Sequence, residues 1–191
     1  MSADPIARFQ ALFEKAKGVE PHDATAMTLA TADARGRPSA RMVLLKGADA
    51  RGFVFYTNRQ SRKARDLEEN PFAALCIHWP ASRQQVRVEG RVERATDAES
   101  DAYFVTRARE SQLGAWASEQ SAPLASREAL EARVRELDAR FPGAIPRPPH
   151  WGGYRLVPDR IELWFEGPAR LHDRFVYERD GAGWKMTRLN P

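Results

Sequence analysis

The chain holds a single cysteine, Cys76, among 191 residues. That excludes an intrachain disulfide and is compatible with a reducing compartment, so a cytoplasmic location is expected. No apolar run approaches the roughly 20 residues needed to span a bilayer, and no membrane partner is expected. The opening residues, MSADPIARFQ, lack a basic start followed by an apolar stretch, so no secretory signal is read there. Repeats and low-complexity tracts are absent. Lysine is scarce, with 5 residues against 25 arginines. One arginine therefore says little, whereas Lys46 and Lys63 stand out because both fall inside segments notable for other reasons.

The composition, 42% hydrophobic and 29% charged, is that of a globular chain long enough for one domain with a real core. Net charge is +4 and the pI about 9.5, which favours anionic partners. Acidic residues interleave with the basic ones throughout and leave no continuous basic stripe, so nucleic acid is not an expected partner. No metal site is expected.

Asp4 as a cap, Pro5 in the first turn, and Ile6, Phe9, Leu12 and Phe13 on one face predict a helix over 5–17. Strands are predicted at Ala26–Ala32, Arg41–Lys46, Phe53–Thr57, Phe72–Trp79 and Gln85–Arg94, with turns at Asp33–Pro38 and Gly47–Gly52. Ser61–Glu69 reads as a short helix stopped by Asn70-Pro71. Helices are also predicted over Asp97–Arg107 and Ser126–Arg140, then a proline-rich connector from Phe141 to His150. Later strands are expected at Tyr154–Val157, Arg160–Phe165, Arg174–Tyr177 and Trp184–Arg188. Many short strands with helices between sets point to a small antiparallel barrel decorated by helices. The expected organisation is a single domain over 1–191, with a helical insertion at about 97–140 and C-terminal strands at about 153–191.

Four constellations could carry chemistry. Arg41-Met-Val-Leu-Leu-Lys46 is an apolar strand with a cation at each end; either its flanks are merely solvated or both cations face an anion. In Tyr56-Thr57-Asn58-Arg59-Gln60-Ser61-Arg62-Lys63, a strand runs through a turn into a helix. Cations in a helix's first turn oppose its dipole by a few tenths of a kcal/mol each, and a bound phosphate would reverse that sign. Tyr103, Arg107 and Ser111 are the donors a second phosphate would want, Tyr103 and Arg107 being four apart on one helix face. On those residues alone, a surface Tyr–Arg pair is the simpler reading. Finally, Arg170, His172 and Arg174 project to one side if the segment is extended, and such a cluster calls for an anion or a ring.

Taken together, RMVLLK, FYTNRQSRKA, SQLGAWASEQS, WGGYR and RLHDR resemble the pyridoxamine/pyridoxine 5′-phosphate oxidase family, in its order and approximate spacing, from about Asp4 to Pro191. The resemblance implies an α+β split β-barrel, antiparallel and Greek-key-like, and a homodimer with FMN at the subunit interface. Implied FMN contacts are Arg41, Met42, Val43, Leu44, Leu45, Lys46, Tyr56, Thr57, Arg62, Lys63, Gln85, Gln120, Ser121, Trp164 and Arg174. Implied substrate contacts are Lys46, Tyr103, Arg107, Ser111, Arg170 and His172, with Arg170 and His172 as the catalytic pair. The implied reaction oxidises phosphorylated B6 vitamers to pyridoxal 5′-phosphate with O2 as acceptor. Three departures from the family pattern are visible: no Arg-x-x-Tyr arm precedes the first helix, Phe165-Glu166 replaces a frequent glutamine, and Gln84 stands where arginine is frequent. A related oxidase of phenazine-type metabolism is the alternative, and a non-catalytic flavin- or pyridoxal-phosphate-binding protein a further one.

Overall fold

The computed structural model describes residues 4–191. Its strands follow from alternation: in β1 (Ala26–Ala32) Met27, Leu29 and Thr31 turn inward, and in β5 (Phe72–Trp79) Ala73, Leu75, Ile77 and Trp79 do the same. The same period of two puts Val86, Val88 and Val92 of β6 (Gln84–Arg94) in the core. The remaining strands are β2 (Pro38–Leu44), β3 (Gly47–Asp49), β4 (Gly52–Asn58), β7 (Trp151–Phe165), β8 (Asp173–Asp180) and β9 (Gly183–Leu189). All pairings are antiparallel, in the order β2-β1-β5-β6-β7-β4-β3, with β8 and β9 continuing outward from β7.

That order closes on itself. The Leu45 N–H donates to Thr25 O on the β1 side at 2.8 Å, and the next N–H, of Lys46, donates to Val54 O of β4, also at 2.8 Å. The chain from 38 to 49 thus changes partner between two adjacent residues, and β2 and β3 are halves of one bent strand. The result is a split barrel. The stretch Gly47–Gly52, predicted as a turn, contains β3 because that change of partner cannot be read from local sequence.

β7 is one strand of 15 residues where two were expected. Pro158 stands in the gap between those two, and proline cannot donate to a ladder. It is accommodated at a bulge: Glu89 pairs with Arg160 and Gly90 with Pro158, leaving Asp159 as the extra residue. Gly90 is required there, because a Cβ would sit 2.1 Å from Val157 O.

Helix α1 (Pro5–Val19) starts on the predicted cap, the Asp4 carboxylate accepting from the Ile6 N–H at 2.9 Å. It seats Phe9 on the barrel core against Phe53 (4.8 Å between centroids) and Trp79 (5.9 Å). The helix α2 (Arg62–Glu69) follows β4 directly. α3 (Asp97–Phe104), α4 (Arg109–Ala117) and α5 (Arg127–Arg140) lie between β6 and β7. They build a second, smaller core from Phe104, Leu113, Ile145 and Trp151. The expected helix over Asp97–Arg107 ends at Phe104, and α4 has no counterpart in the sequence reading: its cap residue Ala108 has no side-chain oxygen to announce it. No helix among the described residues is long and apolar enough to cross a membrane.

Candidate functional site

A cleft of about 800 Å³ opens where the bent strand passes the start of α2 and the α3–α4 turn. It is lined by Ser39 to Leu44 and Lys46 from the bent strand, Tyr56 and Thr57 from β4, Arg62 and Lys63 from α2, Tyr103, Arg107, Ala108 and Ser111 from the helical layer, Gln120, Ser121 and Trp151. Most residues implicated from sequence therefore meet in one place.

On the barrel side the apolar part of RMVLLK is not a core strand. Met42 and Leu44 are exposed at 62% and 41%, while Leu45 turns inward at 3% and does not line the cleft. Arg41 is held from behind: its guanidinium donates to Leu29 O (3.1 Å), Thr31 Oγ1 (2.8 Å) and Ser39 Oγ (2.8 Å), with Asp66 Oδ2 at 3.6 Å. The buried Thr31 hydroxyl donates in turn to Asp66 at 2.6 Å. Among the described residues Asp66 is thus the one carboxylate behind this cation group.

Lys63 lies almost wholly buried, at 8% exposure, yet its ammonium reaches only neutral oxygens: Thr57 Oγ1 at 3.2 Å, Ser61 Oγ at 3.3 Å and Gln120 Oε1 at 3.0 Å. Burial, reinforced by repulsion from Arg41 and only partly offset by Asp66, pulls its pKa from the ordinary 10.5 to about 8. Ser61, at the cap position of α2, makes no side-chain capping bond; instead the Arg62 N–H donates to Ser121 Oγ at 3.2 Å. Ser121 takes a left-handed backbone, φ 73°, to deliver that hydroxyl. The first turn of α2 contains no acidic residue. Cations crowd the positive end of a helix dipole here, an arrangement that an anion stabilises.

On the helical side, Tyr103 stacks on Tyr56 at 4.1 Å, and Tyr56 on Trp151 at 5.3 Å. The Arg107 guanidinium lies over the Trp151 ring at 4.7 Å, and its Nη1 is buried without a hydrogen-bond partner. Burial lowers its pKa. Arg107 does not share a helix face with Tyr103, as the spacing suggested; α3 has ended, and a turn brings it beside the same aromatic stack. Among the described residues, Lys46, Arg62, Lys63 and Arg107 form no ion pair.

Besides Leu45, five implicated residues do not line this cleft: Gln85, Trp164, Arg170, His172 and Arg174. They gather elsewhere. Gln85, Trp164 and Arg174 oppose one another in register across β6, β7 and β8, and the His172 ring packs on Trp164 at 4.6 Å. The expected extended run from Arg170 to Arg174 is corrected: Pro168–Arg170 is a single 3₁₀ turn, with Ala169 and Arg170 both left-handed at φ 54° and 62°. Left-handed backbone costs a non-glycine residue about 1–2 kcal/mol, so this loop is strained. Gly167 makes it possible, since a Cβ there would lie 1.9 Å from Leu171 O. The Gly167 N–H donates to His172 Nδ1 at 3.2 Å, so the neutral ring carries its proton on Nε2.

Sequence reasoning missed Thr31, Ser39, Asp66 and Trp151 as parts of the site. Only Trp151 carried a signal, as the first residue of the WGGYR motif.

Residues 14–141 match the family profile described as pyridoxamine 5′-phosphate oxidase, and residues 151–191 that of the pyridoxine 5′-phosphate oxidase C-terminal dimerisation region. Among curated proteins, the chain is 65% identical over 189 residues to a pyridoxine/pyridoxamine 5′-phosphate oxidase of Anaeromyxobacter dehalogenans, covering 98% of this chain and 96% of that protein. It is 60% identical to that of Myxococcus xanthus, covering 98% and 92%. Among solved structures, PhzG from Burkholderia lata, in complex with tetrahydrophenazine-1-carboxylic acid, superposes with a TM-score of 0.94 at 37% identity, covering 100% and 94%. An FMN-binding protein of Nostoc punctiforme shares the fold, with a TM-score of 0.78 at 20% identity and full coverage of both chains.

Proposed function

Because the chain belongs to the pyridoxamine 5′-phosphate oxidase family, we propose that it uses FMN to oxidise pyridoxamine 5′-phosphate and pyridoxine 5′-phosphate to pyridoxal 5′-phosphate, as a homodimer. The observation that carries this reading is a pair of cations that form no ion pair among the described residues, the buried Lys63 and the half-buried Arg107, on two walls of one cleft. FMN and the vitamer each bring one phosphate dianion, and two separate cationic positions fit two separate phosphates. A charge-assisted hydrogen bond contributes about 1.5–3 kcal/mol, so each group of donors anchors one end of its ligand firmly.

Arg41, Arg62, Lys63, Ser121 and Gln120 hold the FMN phosphate; Met42 to Lys46, Tyr56 and Thr57 border the remainder of the cofactor. Tyr103, Arg107 and Ser111 hold the substrate phosphate. FMN, when bound, accepts the hydride that leaves the substrate's 4′ carbon and passes the electrons to O2, giving H2O2 and, after imine hydrolysis, NH3 from the amine. The protein supplies alignment and a dry, charge-matched cleft. Gln85, Trp164, Arg170, His172 and Arg174 complete the site when a second copy brings their cluster to the cleft, which the match of residues 151–191 to a dimerisation region supports. In that arrangement His172 offers Nε2–H as a donor to the substrate, its Nδ1 being engaged by Gly167. Arg170 balances charge over the ring.

A second reading, oxidation of a phenazine-type ring, is favoured by the superposition on PhzG. Purified protein reconstituted with FMN should be yellow and should bleach anaerobically on addition of pyridoxamine 5′-phosphate. A panel scoring peroxide release from both vitamers and from a reduced phenazine carboxylate separates the two readings. Bleaching by the phenazine alone would overturn the first, and failure to retain FMN would overturn both.

A further inference from the structure

Glu162, toward the C-terminal end of β7, is 2% exposed, the most deeply buried carboxylate among the described residues. Three guanidiniums surround it. Its Oε1 accepts from Arg174 Nε at 2.7 Å, while Arg87 Nη1 lies 3.5 Å and Arg160 Nη1 3.9 Å from Oε2. These three cations are not equally dependent on it. Glu89 also serves Arg87 at 2.8 Å and Arg160 at 3.1 Å. Among the described residues Arg174 has no other carboxylate; its second hydrogen bond runs from Nη1 to the Asn190 carbonyl at 3.2 Å. Neither bond uses Nη2, which makes no hydrogen bond among the described residues. Its backbone stands in register with Trp164 and, one strand further, Gln85.

A buried carboxylate ringed by cations is a poor device for stability alone, because desolvation offsets much of the Coulombic gain. It is a good device for orientation, since Arg binds a carboxylate along fixed N–H directions. We propose that Glu162 is the positioning residue of the site: it holds Arg174 through Nε so that the unengaged Nη2 meets the cofactor. This rests on the reading that Arg174 contacts FMN; Glu162 itself touches neither cofactor nor substrate.

The test is a double-mutant cycle on the FMN dissociation constant, measured by flavin fluorescence titration of the apoprotein. Arg174→Ala should weaken FMN by about 10- to 100-fold, the loss of a charge-assisted bond. Glu162→Gln, which keeps the shape but removes the charge, should weaken it several-fold. Combining the two should cost no more than Arg174→Ala alone, because Glu162 acts only through that side chain. Any loss of thermal stability from Glu162→Gln should persist when it is combined with Arg174→Ala, which separates structural damage from positioning. If Glu162→Gln does not fold, Glu162→Asp, which keeps the charge one methylene further back, takes its place in the cycle. Additive losses, or normal affinity in the Glu162 variant while Arg174→Ala is impaired, would overturn the proposal. Unchanged affinity in Arg174→Ala would instead strike the cofactor assignment of Arg174, and the positioning role would fall with it.

Discussion

Lys63 makes cofactor affinity a titration. In the free cleft its ammonium is buried among neutral oxygens and repelled by Arg41, with a pKa of about 8. A phosphate dianion beside it offsets both penalties and raises the pKa back toward the ordinary 10.5. Binding above pH 8 therefore requires uptake of a proton. The sign follows: affinity is full below pH 8 and declines as pH rises through it, at up to tenfold per unit until the bound-state pKa is reached. Between pH 7 and pH 9 the dissociation constant should rise about tenfold. Fluorescence titrations at fixed ionic strength across that range measure it, and isothermal calorimetry in two buffers of different ionisation enthalpy counts the protons taken up. Lys63→Ala should bind about 10- to 100-fold more weakly at pH 7, the loss of one charge-assisted bond, and should show a flat profile. A wild-type profile as flat as the variant's would refute the claim that this ammonium meets the phosphate.

Arg107→Ala should raise KM for pyridoxamine 5′-phosphate by about 10- to 100-fold with kcat and FMN affinity near wild type, since it removes binding common to ground and transition states; steady-state peroxide release checks it. Gly167→Ala forces a Cβ against Leu171 O, unseats the loop that holds His172, and should lower kcat by about 10² while FMN is retained. Asp66→Asn removes the buried charge facing Arg41 while leaving one oxygen to accept from Thr31, and urea unfolding of the apoprotein should show a loss of about 1–3 kcal/mol.

Elements with clean period-two alternation are legible to the residue: β1 and β5 have their predicted bounds because each has one face in the core. What sequence does not supply is non-local. Pro158 reads as a strand end, and only Gly90 across the ladder lets β7 continue. Met42 and Leu44 read as core, and only the change of partner at Leu45–Lys46 shows that they border a cleft. Arg170 reads as part of an extended run because nothing in Pro168-Ala169-Arg170 itself reveals two left-handed residues in succession. The cations of the site are legible by type and spacing. The groups that hold them come from other segments: Asp66 and Thr31 carry no local mark, and Trp151 only its place in WGGYR.

The two walls of the cleft stand on different foundations. One is the barrel's own seam, whose residues cannot shift without disturbing the pairing of β2, β3 and β4; the other rests on the small cluster in which Phe104, Leu113 and Ile145, outside the barrel, pack with Trp151 at the start of β7. Mutations that reshape the helical wall leave the seam intact, so such a scaffold can exchange the molecule it oxidises while keeping the one that does the oxidising. A lineage built this way diversifies by renovating one side of a room whose opposite side also holds up the house.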